Sequence, residues 1–512
     1  MGLNAPELRS TRVFQEMPQK TNIGDYEPVT PTGSSGAFAE ADADRWSGTS
    51  WSKPDSGSAW VDRVDAVRTR PTSPSAANDD QNRKKAVLKR GHTVSFAGLF
   101  LFSFVLYFRP YELFPGLAWA SSSAFWIAMV TLVLYVPTQL ALEGKLTVRP
   151  REVTLLLLLL LAGLLSIGVA VERLRAWYGF VDFLKVVVMF IVMVNVVRTE
   201  KRLRALIFLA MFAGCALSVS AVNDYRLGRF VLGFHERIQG LIGNLFDNPN
   251  DLALHLVTMI PIAVALLLSS RGGPKKLFFG VCAVLMFAGV VVTFSRGGFI
   301  GIVCAGGVFA WKVAHRNKLL IGVLIPVMLA GFILLAPLAY QRRLSTTLDE
   351  SGLARREDLK RSLFVAVHHP LFGVGMNNYV VYSNINHASH NAYTEVASET
   401  GFPAAIVYIL FLITPLRRLG RIASESFAAR RTSSSYYLAI GLEASLVGYM
   451  AASFFLSVAY LWYAYYLVGY CICFRRIYEA AHVSPANMVE NRGRSQPPSP
   501  VNRLEPRSAV SA

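Results

Sequence analysis

The sequence predicts an all-α polytopic membrane protein of about 12 transmembrane helices, with a large periplasmic loop between spans 9 and 10. Apolar residues make up 53% of the 512 residues. The mean hydropathy is positive, at +0.39. Apolar runs of about 20 residues recur along the chain, and each is long enough to cross a hydrocarbon core as a helix. These runs alternate with short connectors that are rich in arginine and lysine.

The formal charge of +18 lies in the membrane body and not in the N-terminal tail. Residues 1–85 carry 11 basic and 12 acidic side chains, so they are close to neutral. The basic excess is spread over many short loops, as in the cytoplasmic loops of membrane proteins, which argues against a nucleic-acid partner. The five cysteines all lie in apolar runs and are predicted to be small buried hydrophobic residues without disulfide bonds.

Three regions follow from composition. Residues 1–90 are predicted to be a disordered cytoplasmic N-terminal tail and residues 477–512 a disordered cytoplasmic C-terminal tail. The membrane domain spans 91–476. The predicted spans within it are 94–108, 121–142, 153–170, 178–197, 204–222, 250–269, 277–294, 299–313, 319–338, 391–415, 436–456 and 459–474.

Loop charge sets the predicted orientation. The strongly basic connectors RTEKRLR and RRLGRIASESFAARR fall on the same side, which places both termini in the cytoplasm and the loop 339–390 outside. Several arginines then lie on the outer side, against the usual bias, and either form structural salt bridges or have a function. They are Arg226, Arg229, Arg237, Arg296, Arg355 and Arg356.

The outer loop holds the side chains that are suited to chemistry. Residues 355–367 have the periodicity of an amphipathic helix, which His368-His369-Pro370 would end. Arginine binds phosphate well because its planar guanidinium makes bidentate hydrogen bonds and stays charged. His390 precedes span 10, where an imidazole could accept a proton from a sugar hydroxyl, although a capping or packing role is also open.

A metal site is the weaker interpretation of the loop histidines. His387 and His390 are three residues apart, and His368 and His369 are adjacent. The loop lacks an H-E-x-x-H pattern and an obvious set of carboxylates, so no metal is expected there. No cofactor is expected either, because no nucleotide-binding fingerprint follows a predicted strand.

Four motifs in order resemble the bacterial O-antigen ligase and O-antigen polymerase superfamily of membrane glycosyltransferases. They are GLIGNLFDNPNDLALHL, TFSRGGFIG, ARREDLKRSLFVAVHHPLFGVGMNNY and SHNAYTEVASETGFPAAI. Each motif is short, and the ordered set over residues 239–405 carries the resemblance.

The resemblance implies a multi-pass protein of the bacterial inner membrane that takes a glycan from an undecaprenyl-diphosphate carrier. By that resemblance Arg296 and one or both of Arg355 and Arg356 bind the diphosphate, while His390 acts on the acceptor hydroxyl at the periplasmic face. Candidates for supporting roles are Asn250, Asn391, Glu395 and His387. The acceptor, whether glycan, lipid or protein, is not encoded in these motifs, so ligase, polymerase and protein O-oligosaccharyltransferase remain alternatives.

A polysaccharide transporter is a competing class. Transporters usually hold ionisable residues near the bilayer midplane, and the predicted spans contain few. Asp182 and Lys185 in the fourth span are the main candidates. Their i,i+3 spacing also suits a simple intrahelical ion pair.

Overall fold

The computed structural model describes residues 91–229, 238, 246, 248–314, 350–383, 388–430 and 432–482. Several predicted features lie outside these residues: the N-terminal tail, the C-terminal tail after residue 482, the ninth span at 319–338, Arg237, the beginning of the loop predicted at 339–390, most of the first part of the GLIGNLFDNPNDLALHL motif, and His387.

The described residues form fifteen α-helices and three short 3-10 helices, with no strand, so the all-helical fold class is confirmed. The α-helices are α1 Thr93–Phe108, α2 Pro110–Leu113, α3 Ser123–Glu143, α4 Arg151–Ser166, α5 Arg173–Val196, α6 Glu200–Arg226, α7 Pro249–Ser269, α8 Gly273–Val292, α9 Arg296–Ala314, α10 Glu350–His368, α11 Tyr379–Tyr382, α12 Ala392–Thr400, α13 Phe402–Glu425, α14 Ser435–Ala452 and α15 Trp462–Ala481. The 3-10 helices are Pro115–Ala120, Ile167–Val169 and Ser453–Phe455.

Ten helical segments in the described residues are long and apolar enough to cross a membrane. The twelfth predicted span corresponds to α15, which is not among the ten. Its last two turns carry Arg475, Arg476 and Glu479, which lower its hydropathy. This helix continues to Ala481, beyond the predicted domain boundary at 476. The count of twelve spans stays a prediction.

Helix α7 is the centre of the described bundle. In the 18-residue apolar stretch of α7, 78% of the residues are buried. The corresponding value is 17% for the stretch that contains α3, at the periphery. It packs on α8 and α14, and α14 also packs on α9. Where α9 crosses α14, a Cβ at Gly301 would lie 2.9 Å from the Gly448 carbonyl oxygen. Small residues therefore allow close backbone approach here, as is common between membrane helices.

The predicted tenth span, 391–415, is wrong as a single helix. The chain instead forms α12, breaks at Gly401 and continues as α13. Gly401 has a φ of +91°, in the region that favours glycine, and Pro403 lies in the first turn of α13. The Gly-Phe-Pro sequence was the available signal for this break. Residues 392–400 thus form a separate short helix.

A tight turn, residues 370–378, covers the C-terminal end of α12. The backbone N–H groups of Val374 and Gly375 donate to the carbonyl groups of Ser398 and Glu399, both at 2.9 Å. These carbonyls have no partner within their own helix, so the turn satisfies them. Gly373 has a φ of +65°, and a Cβ there would overlap the Glu399 backbone. The glycines of the P-L-F-G-V-G sequence are therefore required by close backbone packing.

We predict that Gly401→Ala destabilises the protein. A Cβ would overlap the carbonyl group of Leu371, and alanine at this φ carries roughly 1–3 kcal/mol of strain. Thermal unfolding in detergent, followed by size-exclusion chromatography, should show a lower midpoint. Gly307→Ala in α9 is the control, because nothing lies within 4 Å of its added Cβ and alanine favours a helix. Equal midpoints for the two variants would contradict the prediction.

Candidate functional site

Four separate segments line one cavity with a volume of about 280 Å³. They are the first turns of α9, the middle of α10, the residues before α12, and the 3-10 helix that follows α14. The lining residues are Arg296, Ile300, Arg355, Arg356, Leu359, Ser389, His390, Asn391, Phe454 and Phe455. The structure thus brings together the three arginines and the histidine that the resemblance selected, while the described Arg226 and Arg229 do not line this cavity.

Arg296 is the first residue of α9, and local geometry fixes its position. The Ser295 hydroxyl accepts a hydrogen bond from the Gly298 N–H at 3.2 Å and caps the helix. Gly297 and Gly298 allow close packing, since a Cβ at Gly298 would lie 2.7 Å from the Ala253 Cβ. A cation at a helix N-terminus opposes the helix dipole. Helix stability therefore does not explain an arginine at this position.

Helix α10 supplies the other two arginines. It contains the helix predicted at 355–367 but begins earlier, at Glu350, and it ends at His368 as expected. Arg355 is partly buried and Arg356 is exposed. Glu357, one of the acids that could have paired with them, forms an ion pair with Arg361 at 3.2 Å.

Two hydrogen bonds hold α10 against the rest of the site. The Ser362 hydroxyl donates to the Thr394 hydroxyl of α12 at 2.9 Å. The Tyr379 hydroxyl donates to the Asp358 carbonyl oxygen at 3.2 Å. Together they fix α10 to α12 and to the first residue of α11. The face that carries Arg355 and Arg356 is therefore held in register with His390.

His390 has a strained backbone that is fixed by a serine from a distant part of the chain. Its φ is +49°, which is uncommon for a residue other than glycine. Its backbone N–H donates to the Ser457 hydroxyl at 2.9 Å, and the Ser389 and Ser457 hydroxyl oxygens are 3.2 Å apart. Strain of this kind persists where the surroundings enforce it and is common at functional sites.

Asn391 caps α12 and also borders the cavity. Its side-chain oxygen accepts hydrogen bonds from the N–H groups of Tyr393 and Thr394, at 2.9 and 3.0 Å. The residue is almost fully buried, and its Nδ2 group has no hydrogen-bond partner among the described residues. A buried amide donor without a partner is costly, so a bound ligand that accepts this hydrogen bond would be favoured.

The other candidates for supporting roles do not line this cavity. Glu395 accepts a hydrogen bond from the Ala459 N–H at 3.1 Å and so fixes the connection between α14 and α15. Burial, together with the nearby Glu399 carboxylate, raises the pKa of Glu395 well above its ordinary value. Asn250 is buried in the first turn of α7, where its N–H donates to the Asn248 side-chain oxygen at 2.9 Å.

Sequence reasoning missed the contribution of the segment between α14 and α15. Ser457 and the two phenylalanines 454 and 455 all contact the site, yet they lie in a region predicted as the end of one span and the start of the next. A serine between two apolar runs gives no local signal, because its partner is 67 residues away. Only the fold reveals it.

A structural salt bridge, one of the two alternatives for the arginines against the charge bias, is present at Arg229. Arg229 lies 3.7 Å from Asp224, at the end of α6. His368 and His369 are away from the cavity lining, and His369 Nε2 makes a hydrogen bond with the Tyr382 hydroxyl at 2.9 Å. Within the described ranges, no group of three or more histidine, cysteine or acidic side chains has the geometry to hold a metal ion.

The fold and the cavity together define a multi-pass helical membrane protein with an arginine-lined site. A family model described as O-Antigen ligase matches residues 281–409, about a quarter of the chain. No curated protein matches the chain. The family match confirms the resemblance to the O-antigen ligase superfamily and indicates a membrane protein of the ligase or polymerase type in polysaccharide biosynthesis. The matched residues include Arg296, both arginines of α10 and His390.

We predict that Glu399 makes stability depend on pH. Its carboxyl group is buried, and burial raises its pKa from 4.5 to about 7. Between pH 4.5 and about pH 7, the folded state therefore keeps a proton that the unfolded state has lost. This stabilisation is complete below pH 4.5 and declines as the pH rises to about 7. Unfolding midpoints should fall over this window.

Glu399→Gln tests this dependence because it keeps the shape of the side chain and cannot ionise. The variant should match the wild type near pH 5 and be more stable near pH 8. Glu425→Gln, at the exposed end of α13, is the control and should leave the pH profile unchanged. A Glu399→Gln profile parallel to that of the wild type would refute the prediction.

Proposed function

We propose that this protein is a glycosyltransferase that moves a glycan from an undecaprenyl-diphosphate carrier onto an acceptor hydroxyl at the periplasmic face of the bacterial inner membrane. The single observation that supports it most is the cavity that Arg296, Arg355, Arg356 and His390 line together. Both termini would then be cytoplasmic, as the basic connectors predict.

The three arginines suit the leaving group of this reaction. Transfer breaks the bond between the anomeric carbon and the diphosphate, and the lipid diphosphate departs with the electron pair. Fixed guanidinium groups in a partly dehydrated cavity stabilise that charge, and they need no reorganisation as it develops. The leaving group needs charge stabilisation more than a proton, so we propose that the step requires no metal ion.

His390 would act on the acceptor. The acceptor oxygen attacks the anomeric carbon from the face opposite the diphosphate, and its proton passes to the imidazole of His390. One C–O bond forms as the other breaks, so the configuration at the anomeric carbon inverts. Asn391, whose Nδ2 group lacks a partner among the described residues, would donate a hydrogen bond to the donor or the acceptor.

An apolar groove next to the cavity suits the lipid part of the donor. It has a volume of about 520 Å³ and shares Ile300, Phe454 and Phe455 with the arginine-lined cavity. From these residues it continues between α13 and α14, past Val447 and Leu416. A polyprenyl chain in this groove would place the attached diphosphate beside Arg296. Charge and apolar surface thus adjoin, as the donor requires.

The transporter alternative is disfavoured by Asp182 and Lys185. Their side chains form an ion pair at 2.7 Å along α5 and are 71% and 52% exposed. They face outward and do not line a path through the bundle. Ligase, polymerase and protein glycosylation share the proposed chemistry, and the glycan product that disappears on deletion of the gene would distinguish them.

Substitution of Arg296 tests donor binding. Arg296→Lys keeps the charge but loses the bidentate fork, and Arg296→Ala loses both. We expect transfer from a lipid-diphosphate glycan to fall about 10²–10³-fold with alanine, and severely with lysine. Arg355→Ala should be more damaging than Arg356→Ala, because Arg355 is the more buried of the two.

Arg361→Ala is the matched control for this series, since Arg361 lies on α10 and pairs with Glu357 outside the cavity lining. It should retain near wild-type transfer. Normal turnover by both Arg296 variants, at normal protein levels, would exclude a role of Arg296 in the reaction.

Substitution of His390 separates catalysis from packing. His390→Gln keeps a polar side chain of similar size but cannot act as a base, so transfer should fall roughly 10²–10⁴-fold, as with His390→Ala. Donor binding should persist. His368→Gln, exposed and away from the cavity, is the control. A folded and active His390→Gln variant would overturn the assignment, and loss of wild-type activity with a chelator would instead favour a metal.

A further inference from the structure

A second cavity lies at the other end of α13 from the arginine-lined site. Helix α13 begins at Phe402, beside the turn at 370–378, and reaches Arg417 about 22 Å further along its axis. This cavity has a volume of about 400 Å³. The start of α4 with the two residues before it, residues 410–418 of α13 and the last turns of α15 line it. It shares no residue with the site described above.

The floor of this cavity is a buried ion pair. Glu152 is fully buried, and its two carboxylate oxygens accept hydrogen bonds from Arg475 at 2.6 and 3.1 Å. In this bidentate pair, Arg475 occupies both carboxylate oxygens of Glu152 and neutralises its charge. It also fixes α15 against α4 and so gives the cavity a rigid base. Glu152 is therefore not available to neutralise the other arginines.

Four more arginines surround this floor. Arg149 and Arg151 come from the start of α4, and Arg417 and Arg418 from α13. All four are exposed, and none forms an ion pair with another described residue. Glu479 is the second acid of the lining, so five arginines face two glutamates, a formal excess of three positive charges. These like charges repel one another, and an anion bound among them would lower that repulsion.

The N-terminus of α4 adds a further site for an anion. Helix α4 begins at Arg151, and its N-cap residue, Pro150, makes no side-chain hydrogen bond to the first turn. Both residues line the cavity. The first N–H groups of a helix have no partner within it and carry the positive end of its dipole. They are suited to bind a phosphate oxygen.

One wall of the cavity is apolar. Leu410 and Ile413 precede the two arginines of α13 by about one turn to two turns, and Leu410 is 45% exposed. On a helix that crosses the membrane, this places hydrocarbon-facing side chains directly next to cationic ones. A free inorganic ion would use only the cationic part, whereas a phospholipid would use both.

We propose that this cavity binds an anionic phospholipid, with its phosphodiester between Arg417, Arg418 and the N-terminus of α4 and its acyl chains along Leu410 and Ile413. The lipid would join α4, α13 and α15 at the membrane surface. The proposal does not depend on the glycosyltransferase function, since it concerns different residues at the opposite end of α13.

Native mass spectrometry of the full chain, released from detergent, tests this. Phosphatidylglycerol and zwitterionic phosphatidylcholine are added separately at equal concentration. We expect a one-to-one phosphatidylglycerol adduct that phosphatidylcholine does not give. In the double variant Arg417→Gln/Arg418→Gln its affinity should fall roughly 30-fold, the effect of two arginines at an anionic lipid surface. Arg149→Gln, on another segment, should weaken it about 5-fold.

Arg421→Gln is the matched control, because Arg421 is exposed one turn further along α13 and does not line the cavity. Its adduct should equal that of the wild type. Thermal unfolding without added lipid should give the same midpoint for all variants, which separates binding from misfolding. An equal loss with Arg421→Gln, equal binding of the two lipids, or displacement of the adduct by millimolar inorganic phosphate would each overturn the proposal.

Discussion

The hydrogen bonds that hold irregular backbone inside the helical bundle determine the rest of this structure. Irregular backbone that is buried inside a protein needs other protein groups to satisfy its N–H and C=O groups. Residues 389–401 meet this requirement through distant partners. Ser457 accepts from the His390 N–H, Glu395 accepts from the Ala459 N–H, and the turn at 370–378 covers the end of α12. Some of these partners precede residues 389–401 in the sequence and others follow them. The turn at 370–378, α12 and the α14–α15 connection are therefore fixed together, and the cavity lies where these segments meet α9 and α10.

That assembly concentrates positive charge at the N-terminus of α9, where positive charge is electrostatically unfavourable. Arg296 starts a helix, where the dipole already carries positive charge, and α10 adds two more guanidinium groups. The described acid nearest in sequence to the α10 pair, Glu357, is engaged by Arg361. An anion bound in this cavity would lie close to all three guanidinium groups, so its affinity depends on the hydrogen bonds that fix the cavity walls. The apolar groove that shares Ile300 with this cavity extends the argument to an amphiphilic ligand.

Much of the fold could be predicted from the sequence, because hydropathy and basic connectors act locally. The spans up to α9 follow from the length of the apolar runs, and the amphipathic helix α10 follows from its hydrophobic periodicity. The grouping of Arg296, Arg355, Arg356 and His390 came from the resemblance, while the cavity itself required the fold. The break at Gly401 was missed, although glycine followed by Phe-Pro is a typical helix stop and start. Ser457 could not be predicted, since its contact spans 67 residues and no pattern marks it.

The short motifs serve backbone geometry more than chemistry. In S-R-G-G only Arg296 lines the cavity, while Ser295 caps α9 and the glycines allow close packing. In H-N-A-Y-T-E the first two residues line it; Tyr393 donates to the Met450 carbonyl at 2.8 Å and Glu395 fixes the connection after α14. The P-L-F-G-V-G turn contributes no lining residue, yet it completes the hydrogen bonding of α12. The S-R-G-G and H-N-A-Y-T-E motifs thus each supply one or two cavity-lining side chains, and the remaining motif residues hold the backbone in place. Substitution of one of these backbone-fixing residues would therefore disturb the cavity without removing a side chain that lines it.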